Sequence, residues 1–260
     1  MRKVVFLFLA FLSVAPAFSQ VHVSRLVIKP KEVYEMGQTD ILVADTLIMM
    51  DSSRIILNKL KTDNFIRTKV AIFGNGCVID GRGVYGKTGR KGRDGETFIG
   101  PCKNGSSGRI GARGLDGGNG INLSFYVEKL TIKGKIFITL TGGNGGTGGE
   151  GGHGGGGSPG TVHCQGGNGG NGANGGNGGN GGNGGTLTLS CTTCTNTKTL
   201  IDTKIQISTQ GGYPGSYGRG GYDGPPGLGP SRRNGTPGLR GFDGIPGRSG
   251  SVGAIKFETN

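Results

Sequence analysis

Sixty glycines in 260 residues, no tryptophan and an apolar share of 32% leave too few large side chains to fill a conventional core along the whole chain. The formal net charge of +13 favours polyanionic partners such as acidic polysaccharide, lipopolysaccharide or nucleic acid; the blander reading is a solvated surface that keeps a glycine-rich chain soluble.

Residues 1–19 read as a signal peptide. Arg2 and Lys3 form a positive start, Val4 to Leu12 an apolar stretch, and Ala17-Phe18-Ser19 a small-residue cleavage site. The apolar stretch is too short and wrongly flanked for a membrane span. Cleavage removes two of the 29 basic residues and none of the 16 acidic ones, leaving 27 − 16 = +11. The expected location is secreted, extracellular or at the cell surface, with no membrane span.

Residues 20–82 predict a β-rich base. Ile41-Leu42-Val43, Thr46-Leu47-Ile48-Met49, Arg54-Ile55-Ile56-Leu57 and Val70-Ala71-Ile72-Phe73 are strand-like runs at short spacing, which suits a small β-solenoid or β-sandwich.

From residue 83 to residue 260 the texture is glycine at every third position, in six segments: I (83–95), II (105–120), III (142–160), IV (166–185), V (212–227) and VI (235–253). Strand-like stretches at 121–141, 186–210 and 254–260 alternate with short turns between them. Period three is that of the polyproline II helix, which makes no internal hydrogen bonds and needs neighbours to satisfy its backbone. The fold expected is therefore mainly β and irregular, a solenoid or sandwich base with three protruding hairpins of polyglycine or polyproline II helices packed as a six-rod bundle. Segments III and IV carry two glycines per turn, as in Gly166-Gly167-Asn168, so they are expected in the middle, where a segment meets neighbours on two faces.

The repeats between Gly83 and Gly253 resemble those of polyglycine-II bundle proteins such as the snow flea antifreeze protein and the glycine-rich phage tail-fibre tip adhesin. The resemblance rests on periodicity; it implies a bundle of antiparallel rods and a role in binding ice or a receptor. The strand-rich base departs from both.

Motifs for chemistry are weak. Gly81 to Thr88 spells the phosphate-loop pattern, but the glycines that follow cannot form the helix this chemistry requires. Cys191-Thr192-Thr193-Cys194 lacks the second ligand pair of a zinc site. Asn75 to Gly81 has the texture of one rung of a polysaccharide-cleaving β-helix without its carboxylate cluster. No catalytic residue, cofactor or metal site is expected, and the chain is not read as an enzyme.

Two surfaces are candidates for binding. Asn168, Asn171, Asn174, Asn177, Asn180 and Asn183 recur every third residue and would line one face, as a polar lattice or simply as small soluble side chains. Lys87, Arg90, Lys91, Arg93, Arg109 and Arg113, with Arg232 and Arg233 at a tip, are candidate contacts for a polyanion. Cys102 and Cys164 both fall in hairpin tips and are expected to form a disulfide. The leading expectation is a secreted structural or adhesive protein that presents its glycine-rich part to a surface, anionic polysaccharide or cell-surface glycan. The alternatives are ice binding and a collagen-like trimeric matrix protein; a monomer is expected, with a trimer left open.

Overall fold

In the computed structural model, which describes residues 21–194, Leu200 and 203–258, eleven strands alternate between two sheets. One sheet has the order β1 (Val21–Ile28), β3 (Ile41–Met49), β5 (Asp63–Phe73), β7 (Asn122–Ile132), β9 (Leu187–Cys191) and β11 (Ile255–Glu258). The other runs β10 (Ile205–Ser208), β8 (Ile136–Thr139), β6 (Cys77–Asp80), β4 (Arg54–Ile56) and β2 (Val33–Glu35). All pairings are parallel. The chain thus winds as a coil, one strand in each sheet per turn, and each turn stacks on the one before.

Side-chain alternation sets the core. In β3, Leu42 and Ala44 are buried between the sheets, whereas Ile41 and Val43 face out. The phase then slips by one residue, and burial resumes at Leu47 and Met49. The same slip occurs in β5 and β7, because the ladder passes over Asp45, Lys69 and Glu128 at one register. Behind it, Phe73 and Phe125 meet edge to face with centroids 6.0 Å apart.

Three of the connections from the second sheet back to the first are long, and each carries two glycine-rich segments. Segments I, III and V continue β6, β8 and β10; segments II, IV and VI lead into β7, β9 and β11. The strand register carries on into them. Ile136 pairs with Ile205, and Asn144 takes the Tyr213 N–H, a separation of 69 residues in both cases. On the other side Leu187 pairs with Ile255 and Asn168 takes the Thr236 N–H, 68 residues apart in both.

The segments form two layers. Within a layer neighbours run parallel: Gly86 donates to Asn144 and Gly89 to Thr147, while Gly108 donates to Asn171 and Gly111 to Asn174. Between layers they run antiparallel: Gly146 donates to Leu115 and Gly149 to Ala112. Segment III is bonded to I, II, IV and V, and segment IV to II, III, V and VI. Close approach explains the glycines there. A Cβ on Gly149 would run into the Arg90 carbonyl oxygen, and one on Gly176 into that of Ala112.

The expected six-rod bundle of polyglycine or polyproline II helices is corrected by this architecture. The regular elements are the strands of two all-parallel sheets, and no helix is recorded in any of the six segments. They are extended connections of the coil, ordered by lateral bonds and by the register of the strands they join. A glycine period of three identifies which residue must face a neighbour; it does not by itself make the segment a helical element. The expected signal peptide and parts of the 186–210 and 254–260 stretches lie outside the described residues. Among the described residues no helix is long and apolar enough to cross a membrane.

Candidate functional site

The hairpin tips are tied together. Cys102, in the tip between I and II, is bonded to Cys164, in the tip between III and IV, and the Cys102 N–H donates to Pro159 at 2.8 Å. Gln165 Nε2 donates to the Asn234 carbonyl, and Arg233 donates to Val162 at 3.4 Å, linking the third tip to the second. A second disulfide joins Cys191 and Cys194 at the base, while Cys77 is a buried thiol whose pKa is pushed up by burial. Two disulfides point to an oxidising environment.

The asparagine row sits against segment VI. The Oδ1 atoms of Asn168, Asn171, Asn174, Asn177, Asn180 and Asn183 accept the N–H groups of Thr236, Leu239, Phe242, Ile245, Arg248 and Ser251, at 2.8–2.9 Å. The carbonyls of the same asparagines accept Gly105, Gly108, Gly111, Gly114, Gly117 and Gly120 of segment II. Each asparagine therefore serves two neighbours, one with its side chain and one with its backbone. Segment III does the same less regularly. Asn144 Oδ1 takes the Tyr213 N–H at 2.9 Å, and His153 Nδ1 takes that of Tyr222 at 2.8 Å, with the two rings stacked.

The basic residues do not all come together, and Lys87 and Arg113 lie outside the depression that four of the others line. Arg90, Lys91 and Arg93 of segment I and Arg109 of segment II line one open depression of about 390 Å³. Antiparallel backbone bonds hold them there, Arg109 donating to Arg93 and Ala112 to Arg90 at 2.8 and 2.9 Å. Lys91 pairs with Asp94 at 3.1 Å, and Arg113 with Asp116 at 2.6 Å. Lys87, Arg90, Arg93 and Arg109 are exposed and have no ion pair among the described residues. Asp94 is held below the ordinary aspartate range by the His153 N–H and by Lys91. Arg232 and Arg233 lie apart from this depression, exposed in the tip between V and VI.

Where β6 runs into segment I, Asp80 is only 3% exposed. Arg82 grips it through Nε at 3.0 Å and a terminal nitrogen at 2.7 Å, and Arg54 stands 3.9 Å away. Burial pushes the Asp80 pKa up, but the Arg82 hydrogen bonds and charge outweigh it and hold the carboxyl below its ordinary value. This clasp is a structural joint at the root of the first hairpin. Among the described residues no cluster of three or more His, Cys, Asp or Glu could hold a metal ion.

Sequence reasoning missed a second concavity. It lies on the outward face of the first sheet, about 940 Å³ in volume, and includes His22, Phe65, Arg67 and Tyr126. These residues are far apart in the chain and meet only through parallel register.

No family model and no curated protein matches the chain. Among solved structures it is similar to the nine polyproline type II helical bundle springtail antifreeze protein from Granisotoma rainieri, at 24% identity. That match covers 63% of this chain and 94% of the other, with a TM-score of 0.10, which carries no argument for fold or function.

Proposed function

We propose that this is a secreted structural or adhesive protein whose glycine-rich layers carry a basic groove that binds an anionic polysaccharide. The observation that carries this reading is the gathering of Arg90, Arg93 and Arg109 on two antiparallel segments, exposed and unpaired among the described residues. Guanidinium groups present planar forks of donors that suit carboxylate and sulfate. Lateral bonding fixes their backbones in advance, which lowers the entropy lost on binding. The tied tips and the clasp at Asp80 add rigidity to the part that would meet a surface.

The asparagine row supports this reading less, and ice binding less still, because its side-chain oxygens are already engaged by segment VI. Retention on a column of sulfated or uronate polysaccharide tests the proposal. Elution should move to higher salt than charge-matched controls, and the triple variant Arg90→Ser, Arg93→Ser, Arg109→Ser should elute early. Retention that ignores salt, or a triple variant that elutes with the parent, would sink the idea.

A further inference from the structure

The outward face of the first sheet carries a trench that runs across the strands, along the axis of the coil. One register row places His22, Val43, Arg67, Tyr126 and Ser190 side by side on β1, β3, β5, β7 and β9. With neighbouring strands about 4.8 Å apart, four spacings make this row about 19 Å long. The adjacent row brings Ile41 opposite Phe65, which is 37% exposed. The other wall is the slipped register of Asp45, Lys69 and Glu128, which no ladder pair occupies. The trench thus runs beside the register at which the burial phase slips in β3, β5 and β7.

Its chemistry differs from that of the basic groove. Asp45 and Lys69 neutralise one another at 2.9 Å. Arg67 and Glu128 add one charge of each sign, so the acidic and basic side chains of the trench cancel. A polyanion gains nothing from such a balance. What remains is a pair of aromatic faces, Phe65 and Tyr126, with donors and acceptors spaced along a line. Apolar ring faces edged by hydroxyls match that pattern, since an aromatic ring covers the apolar face while charged side chains bond the rim.

We infer that this trench is a binding site for a linear, neutral oligosaccharide lying across the strands, separate from the basic groove. One sugar stacks on Tyr126 and another on Phe65, and Arg67, Glu128 and Asp45 bond their hydroxyls. The site uses a surface that the polyanion reading does not, so either can fail alone.

Calorimetric titration of the full chain tests it, with hexamers of β-1,4-linked glucose, N-acetylglucosamine and mannose as probes and a galacturonate hexamer as the charged comparison. At least one neutral hexamer is expected to bind with an affinity insensitive to salt. Tyr126→Ala and Phe65→Ala should each weaken it by about tenfold, the loss of one stacked ring. Tyr126→Phe should retain it, and the Arg90, Arg93, Arg109 triple serine variant should leave it unchanged. Both rings are partly exposed, so folding of the variants is checked by their melting temperature, and Arg67→Ser serves where an aromatic variant melts early. The inference is overturned if none of the three neutral hexamers binds at millimolar concentration. It is also overturned if folded Tyr126→Ala and Phe65→Ala bind as the parent does, or if only galacturonate binds in a salt-sensitive way that the triple variant abolishes.

Discussion

Asn177 Oδ1 accepts the backbone N–H of Ile245 at 2.9 Å, and Asn177 also offers its own carbonyl to Gly114. One residue type thus bridges three segments, because its side chain ends in an acceptor at the reach of a backbone carbonyl. Serine would fall short of that reach, and glycine would leave the Ile245 N–H without its partner.

Replacing Asn174, Asn177 and Asn180 with alanine is expected to cost about 3 kcal/mol of unfolding free energy, about 1 kcal/mol for each lost bond. Urea unfolding followed by circular dichroism measures it. A triple variant as stable as the parent would mean that solvent satisfies the segment VI amides equally well.

Gly176→Ala puts a methyl group against the Ala112 carbonyl in the packed middle of the layers. Overpacking of this kind costs about 1–3 kcal/mol. Ala173, one triplet earlier in the same row, already carries such a methyl, so the layers yield at one rung. A Gly176→Ala melt equal to the parent's would show that they yield at successive rungs too.

Loss of the Cys102–Cys164 bond frees a loop closed across 62 residues. The double serine variant should lose about 2–4 kcal/mol. The first two tips should also become the earliest sites of amide exchange, while the β5 and β7 ladder keeps its protection. Uniform loss of protection would contradict the assignment of the bond to tip order.

Asp80 has a folded-state pKa below its ordinary value, so its contribution to stability is fully present above the unfolded pKa. It is lost as pH falls through the acid range toward the depressed folded value. Arg82→Ala, which removes two charged hydrogen bonds, should cost about 1.5–3 kcal/mol at neutral pH and flatten the acid limb of the stability curve. A parallel downward shift at all pH values would count against a titrating joint.

Much of the base was legible. The runs at 41–43, 46–49, 54–57 and 70–73, with the strand-like stretches inside 121–141 and 186–210, announce strands through alternating branched side chains, though the first two are one strand in the fold. The first half of β5 was not legible, because its buried positions include Asn64 and Thr68. Asn64 is buried by exchanging bonds with Asn58, at 2.8 and 3.1 Å, which no apolar pattern reveals. The basic residues could be picked out by type, but their division could not. Arg93 and Arg109 face each other only because II returns antiparallel along I, whereas Arg232 and Arg233 stay behind at another tip. The trench was invisible for the same reason: Val43, Arg67 and Tyr126 meet at intervals of 24 and 59 residues, which have no local signature.

The unbroken register from strand to glycine-rich segment restricts how the length of this protein can change. A single-residue insertion in segment III would move every glycine between it and the tip off its neighbour's carbonyl, and the turn at 161–165 would have to absorb the offset before IV. Only whole triplets, added to the outgoing and returning arms together, leave each contact in place. Hairpin length in such a chain is therefore counted in steps of three on each arm. A shift of reading frame within the repeat, even one that kept its composition, would erase the architecture.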